Sequence, residues 1–201
     1  MDETMKSRLP ILPVLLLSTV LLTVALAAPV GVSGVIKTNL AQTTNLRIGV
    51  FLTDRSGNPS QEITSSAVQG SNFTLSIPDA APPASSLVPV VSDNLDWPFL
   101  VGKITVTGSA RIDRATLRAY RDNDRSGSNN ASDTNLETIV TRGRGNLALI
   151  YSDAKFRVQG DKGFDITLES GWNLLSITPG SAIDTKRVAS LDGLQLEVFG
   201  K

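Results

Sequence analysis

The chain contains no cysteine and no histidine. Without cysteine there are no disulfides and no thiol nucleophiles. Without histidine there is no imidazole, and with it go the usual catalytic triads and dyads. The two absences together exclude zinc sites of the usual ligand type. An exported protein without disulfides fits a bacterial or archaeal cell better than a eukaryotic secretory pathway. Aromatics are sparse: six Phe, two Trp and two Tyr in 201 residues. Charge of one sign is never in excess, since nineteen basic residues balance nineteen acidic ones. A nucleic-acid binder usually carries a basic excess, so no nucleic-acid partner is expected. At 41% hydrophobic and 19% charged the chain is suited to folding around a core.

Residues 1–27 read as a signal peptide. Lys6 and Arg8 form a short basic start, Leu9 to Ala28 is apolar, and Ala25-Leu26-Ala27 supplies small residues for cleavage after Ala27. No cysteine follows the cleavage point, so no lipid anchor is expected by that route. The alternative is a retained anchor, because about twenty apolar residues can span a bilayer. Pro10, Pro13 and the Ala-x-Ala site favour cleavage. Membrane contact is therefore expected only if residues 9–28 are retained. Cleavage removes Asp2, Glu3, Lys6 and Arg8 and leaves the remainder neutral.

From Val30 onward the hydrophobic period is mostly two. Leu46, Ile48, Val50 and Leu52 alternate with Arg47, Gly49, Phe51 and Thr53, which marks a strand with one buried face. Val32–Thr38, Glu62–Val68 and Ser71–Ile77 read as further strands, the second of them polar and edge-like. Asp54 to Pro59 reads as the turn between two of these. Leu87–Val91, Lys103–Thr107, Ala115–Arg121, Leu136–Thr141, Asn146–Ser152, Ala154–Gln159, Phe164–Ser170, Trp172–Ile177 and Gly193–Phe199 continue the series. Ser181–Leu191 leaves room for a short helix. About a dozen short strands at roughly ten-residue spacing predict an all-β fold, an antiparallel β-sandwich. One domain over residues 28–201 is expected. A linker-like stretch, Asp79 to Ser86, and a faint internal echo allow two sub-modules, 30–96 and 97–201.

The sequence Val32-Ser33-Gly34-Val35-Ile36 is followed by a Leu-x-Ile-x-Val strand and then by Gly70-Ser71-Asn72-Phe73-Thr74-Leu75-Ser76-Ile77-Pro78. This order resembles the surface β-sandwich modules related to the transthyretin and carboxypeptidase-regulatory families. The resemblance covers about residues 30–78 and implies a non-catalytic extracellular module.

The stretch with metal-ligand spacing is Asp122 to Asp133. Calcium takes six to eight oxygens, and a twelve-residue loop can supply them from positions 1, 3, 5, 7, 9 and 12. Here those positions are Asp122, Asp124, Ser126, the Ser128 carbonyl, Asn130 and Asp133, with Gly127 at position 6. In that register the loop resembles the EF-hand and dockerin class. It departs from that class at Ser126, at Asn129 where an apolar residue is usual, and at Asp133 where a Glu is usual. The other reading is a solvated hairpin loop, for which Asp, Asn, Ser and Gly are equally suited. The entering segment reads as a strand, although Leu136, Ile139 and Val140 also have helical spacing.

Four other patterns have spacings that chemistry could use. Ser152 and Lys155 have Ser-x-x-Lys spacing, but that chemistry needs a helical turn and the segment reads as strand. Asp161, Asp165 and Glu169 could serve an exported carboxylate-dependent hydrolase if two of them shared a cleft. Arg111, Arg114, Arg118, Arg121 and Arg125 could steer an anionic polymer if they shared a face. Trp97, Trp172 and Tyr120 could stack on sugars if exposed, with burial the expected state. The expected protein is a non-enzymatic, secreted or periplasmic, cell-surface or envelope component. Its partner would be a surface protein or an envelope polymer, and calcium its structural ion.

Overall fold

The structure, a computed structural model, describes residues 30–40, 43–95, 97, 99–143 and 145–200. The export segment read over residues 1–27 lies outside the described residues. The strands are β1 (Val30–Thr38), β2 (Leu46–Thr53), β3 (Pro59–Ala67), β4 (Asn72–Ile77), β5 (Val88–Pro89), β6 (Thr105–Thr107), β7 (Arg111–Arg121), β8 (Thr134–Asn135), β9 (Glu137–Thr141), β10 (Asn146–Ser152), β11 (Phe156–Gln159), β12 (Asp165–Leu168), β13 (Gly171–Thr178), β14 (Asp184–Val188) and β15 (Ser190–Phe199). Among the described residues only two short 3₁₀ turns interrupt this all-β order, and no helix is long and apolar enough to cross a membrane.

Three sheets form. The largest has the order β14-β13-β10-β7-β2-β3, with β5 and β8 added beside β7. A four-stranded sheet has the order β4-β1-β15-β9, and a three-stranded one the order β12-β11-β6. Alternation along each strand dictates how they stack, because successive side chains leave on opposite faces. From β10, Leu149 faces one cluster and Ile150 the other. From β13, Trp172 and Leu174 face the four-stranded sheet, where they meet Leu191, Leu194 and Leu196 of β15. Leu175 and Ile177 face the opposite way, towards Phe156, Val158, Ile166 and Leu168 of the small sheet. The largest sheet is thus a middle layer with a core on each side. Its strand β13 is buried along most of its length because both faces are covered, polar Asn173 included.

Strands from 30–96 and 97–201 interleave. Strand β1 pairs with β15, and β2 pairs with β7, so both larger sheets draw on both segments. The antiparallel expectation needs one correction: β1 and β15 run parallel. Three residues of β1, Val32 to Gly34, span four of β15, Leu191 to Leu194. The extra residue is a bulge, and Gly193 takes it up with a φ of +74°.

The helix allowed for at Ser181–Leu191 does not form. Residues 184–188 are edge strand β14, and β15 begins at Ser190. β14 pairs on one side only, with β13, so its Lys186 and Arg187 stay in solvent and no alternation shows in its sequence. Charged side chains on an exposed edge also discourage pairing with a second chain.

Candidate functional site

β7 enters the 122–133 loop as a strand, and β8 and β9 leave it, so the strand reading of its flanks holds and the helical one does not. The loop turns where its sequence allows. Arg125 and Gly127 both take positive φ, 57° and 84°. Asp122 is 4% exposed and anchors the turn. Its Oδ1 accepts from Ser126 N and its Oδ2 from Gly127 N, each at 2.9 Å. The Arg47 guanidinium stands 4.0 Å from Oδ2. Asp133 closes the loop: its Oδ1 accepts from Asn123 N and its Oδ2 from Asn130 N, both at 2.9 Å.

One carboxylate oxygen from each of Asp122, Asp124 and Asp133 lies within 4.8 Å of the others. The remaining expected ligands converge on one atom, the amide nitrogen of Asn130. It donates to Asp124 Oδ2 at 3.1 Å, to Ser126 Oγ at 3.0 Å and to the Ser128 carbonyl at 3.4 Å. The structure therefore gathers all six residues into one knot, in which the –NH₂ group links Asp124, Ser126 and Ser128. Hydrogen bonds from Ser126 hold the Asp124 carboxyl below the usual range, with Asn130 adding to the effect. Asn130 turns its nitrogen to this set and its oxygen to Ser132 N and Oγ, at 2.8 and 2.7 Å; the carboxylates, hydroxyl and carbonyl are the kind of ligand a hard cation such as calcium takes.

The loop does not stand free in solvent. It folds onto the open face of β2, β3 and β7. Ser65 Oγ donates to the Gly127 carbonyl at 3.2 Å and accepts from the Tyr120 hydroxyl at 3.1 Å and from Arg47. Asn129 N donates to Glu62 Oε2 at 2.7 Å. This is where Asn129 ties the loop down, polar to polar, at the position where an apolar residue is usual. Tyr120 is fully buried beneath, edge-on to Phe51 at 6.1 Å, and burial pushes its hydroxyl above the ordinary range. Arg47, Glu62 and Ser65 carried no sequence signal, since they lie in two other strands.

The other patterns come apart. Ser152 is buried and its hydroxyl donates to Ala154 O at 2.6 Å, while Lys155 pairs with Glu169 at 2.8 Å. Asp165 is bound by Arg157 and by Gln159, so Asp165 and Glu169 answer separate cations, and both carboxyls are held below the usual range by those cations. Asp161 is exposed and joins neither. The arginines of β7 divide between faces by their odd and even positions. Arg111 is spent on the carbonyls of Ala84 and Leu87. Trp97, Trp172 and Tyr120 are all buried, so none offers an open stacking face.

A second feature has no signal in the sequence. Asp113, near the start of β7, is 5% exposed. Its Oδ1 accepts from Arg114 N at 2.7 Å, and its Oδ2 has no hydrogen-bond partner. Burial raises the Asp113 carboxyl above its ordinary value; the nearby Ser86 hydroxyl and the Arg114 N–H and charge oppose this only in part. A carboxyl raised by folding supplies stability below its unfolded value, about 3.9, and loses it as the pH rises through the folded value. Asp113→Asn should therefore melt progressively higher than the wild type as the pH is raised from about 4. The difference should level off once the wild-type carboxyl is ionised. Paired melts across that range check it, and a difference independent of pH would refute it.

No protein-family model, curated protein or solved structure matches the chain.

Proposed function

We propose that the protein is an exported, non-enzymatic module of the cell envelope or surface, with a structural or binding role, and that calcium stabilises its 122–133 loop. The observation that carries the calcium reading is the meeting of Asp122, Asp124 and Asp133 within 4.8 Å in a loop seated on the central sheet. Asp122, Asp124 and Asp133 would hold the ion, with Ser126, the Ser128 carbonyl and Asn130 completing the oxygen set. The ion would replace the Asn130 –NH₂ as the group that reconciles these oxygens. The non-enzymatic reading is supported by the separate engagement of Asp165 and Glu169 and of Ser152 and Lys155.

Three carboxylates without a long bidentate Glu predict a dissociation constant of roughly 10⁻⁴–10⁻³ M, the range of extracellular modules. At about 10 mM calcium and a constant of about 1 mM, binding adds about 1.4 kcal/mol. That should raise the melting temperature by about 3–6 °C. Calorimetric titration and melts should show both effects in the wild type and neither in Asp124→Ala, whose exposed side chain the fold itself does not need. A titration flat to several millimolar would reduce the loop to a polar hairpin.

A further inference from the structure

A cleft of about 730 Å³ opens between the β2–β3 turn, the 85–89 segment and the start of β7. Its size falls in the range of small-molecule sites, about 300–1,000 Å³. Two of its lining residues carry the same anomaly. Among the described residues, the buried side-chain polar atoms with no hydrogen-bond partner are Asp113 Oδ2 and Trp97 Nε1. Trp97 is 4% exposed and Asp113 5%. Buried polar groups are nearly always paired, because an orphan forfeits its hydration for nothing. Here one orphan is an acceptor and the other a donor, and both residues border one cleft.

We propose that this cleft binds a neutral, polyhydroxylated ligand, a mono- or disaccharide unit. A hydroxyl both donates and accepts, so neighbouring hydroxyls on one sugar ring can give a proton to Asp113 and take one from the Trp97 indole. The walls match such a ligand. Ser85 supplies a hydroxyl; Ser60 and Ser86, whose protons go to Leu52 O and Pro83 O, keep acceptor lone pairs; and Val88 and Ile112 supply apolar surface for a ring face. Charges of both signs are present, Asp54 and Asp113 against Arg55 and Arg114, which gives no net pull on an ion. Asp54 is also already engaged, accepting from Ser56 N, Asn58 N and Asn58 Nδ2. Recognition runs through the edge of the indole and not its face, since the ring packs against Phe156 and Phe164 at 6.3 and 6.4 Å. The inference gives the binding role proposed above a ligand class, and it does not depend on the calcium reading.

The two tryptophans supply the test. Trp172 Nε1 donates to Ala80 O at 3.1 Å, so its indole N–H is an internal control. Glucose, galactose, N-acetylglucosamine, maltose and cellobiose are titrated into ¹⁵N-labelled protein in EDTA, which keeps the outcome separate from calcium. The expected result is that at least one sugar shifts the Trp97 indole resonance saturably, near ~1 mM, while that of Trp172 stays. Asp113→Asn should weaken this by about tenfold or more, as loss of a hydrogen-bond acceptor in a buried site does. Trp97→Phe keeps the ring, deletes the N–H, and should weaken binding as followed by the backbone amides of Ser85 and Ser86. The wild-type titration needs no variant to fold. No saturable shift with any sugar would overturn the proposal and leave the cleft to water. A shift with glycine but with no sugar would overturn it in favour of a zwitterion. Unchanged affinity in a folded Asp113→Asn would overturn it as well.

Discussion

Gly34→Ala should destabilise the protein by about 3 kcal/mol or more, the upper end of what overpacking costs, and lower the melting temperature by about 6–12 °C. Gly34 lies where β1 passes the bulge of β15. A Cβ built there would sit 2.4 Å from the Leu194 carbonyl oxygen, 2.8 Å from its Cβ and 2.9 Å from its carbonyl carbon. Two of those atoms are backbone, and the backbone of β15 is fixed by β1 on one side and β9 on the other. Nothing there can swing aside, so the methyl group must part the two strands. Gly49→Ala is the contrast. Its Cβ would meet Phe51 Cε2 at 2.6 Å, a contact no less close to a carbon atom. Phe51 is a side chain and can turn, at the expense of its edge contact with Tyr120. Gly49→Ala should therefore cost roughly half as much, or less. Denaturant melts of the two variants decide the matter, and equal losses would mean that the rigidity of β15 has been misjudged.

Asp122→Ala should cost about 2–4 kcal/mol in the absence of calcium, since hydrogen bonds to a charged acceptor contribute about 1.5–3 kcal/mol each. Removal of the carboxylate strands Ser126 N and Gly127 N and leaves Arg47 without its acidic neighbour. The loop would then loosen from Ser65 and Glu62, and Tyr120 would lose part of its cover. The exposed Asp124 makes the control: Asp124→Ala should stay within about 1 kcal/mol of the wild type in EDTA. A cycle with Arg47→Ala should find a small coupling to Asp122, because 4.0 Å is the limit of a salt bridge and the N–H bonds at 2.9 Å are the stronger ties. Should Asp122→Ala melt with the wild type in EDTA, the carboxylate would not be what holds the loop.

The strands were legible where one face is buried and the other wet. Leu46, Ile48, Val50 and Leu52 were read from alternation and all four are core. Phe51, on the opposite face, is 4% exposed and packs edge-on against Tyr120 of β7, and no window around Phe51 contains Tyr120. β7 was read from Ala115 but begins at Arg111. Its first turn of sequence, Arg111-Ile112-Asp113-Arg114, reads as surface, yet Asp113 is buried. β14 escaped because an edge strand with charged side chains has no period to show. The members of the metal-ligand knot were legible because they are neighbours in sequence. The cleft was not, since Trp97, Asp113 and Ser86 come from three separate segments. A hydrogen bond that is missing leaves no mark in a sequence.

The parallel pairing of β1 with β15 also orders events in time. Strand β1 sits between β4, which follows closely, and β15, which closes the described chain. Lys37 and Gln195, bonded across that seam, are 158 positions apart. A chain made or passed through a channel from its amino end can form the β1–β4 pair early. It must leave the other edge of β1 bare, and Val32 and Ile36 half-covered, until the last strand arrives. Contacts this distant are slow to form, because the loop between them must close first. The four-stranded sheet is therefore completed last, when β15 enters between β1 and β9 and covers both edges in one step.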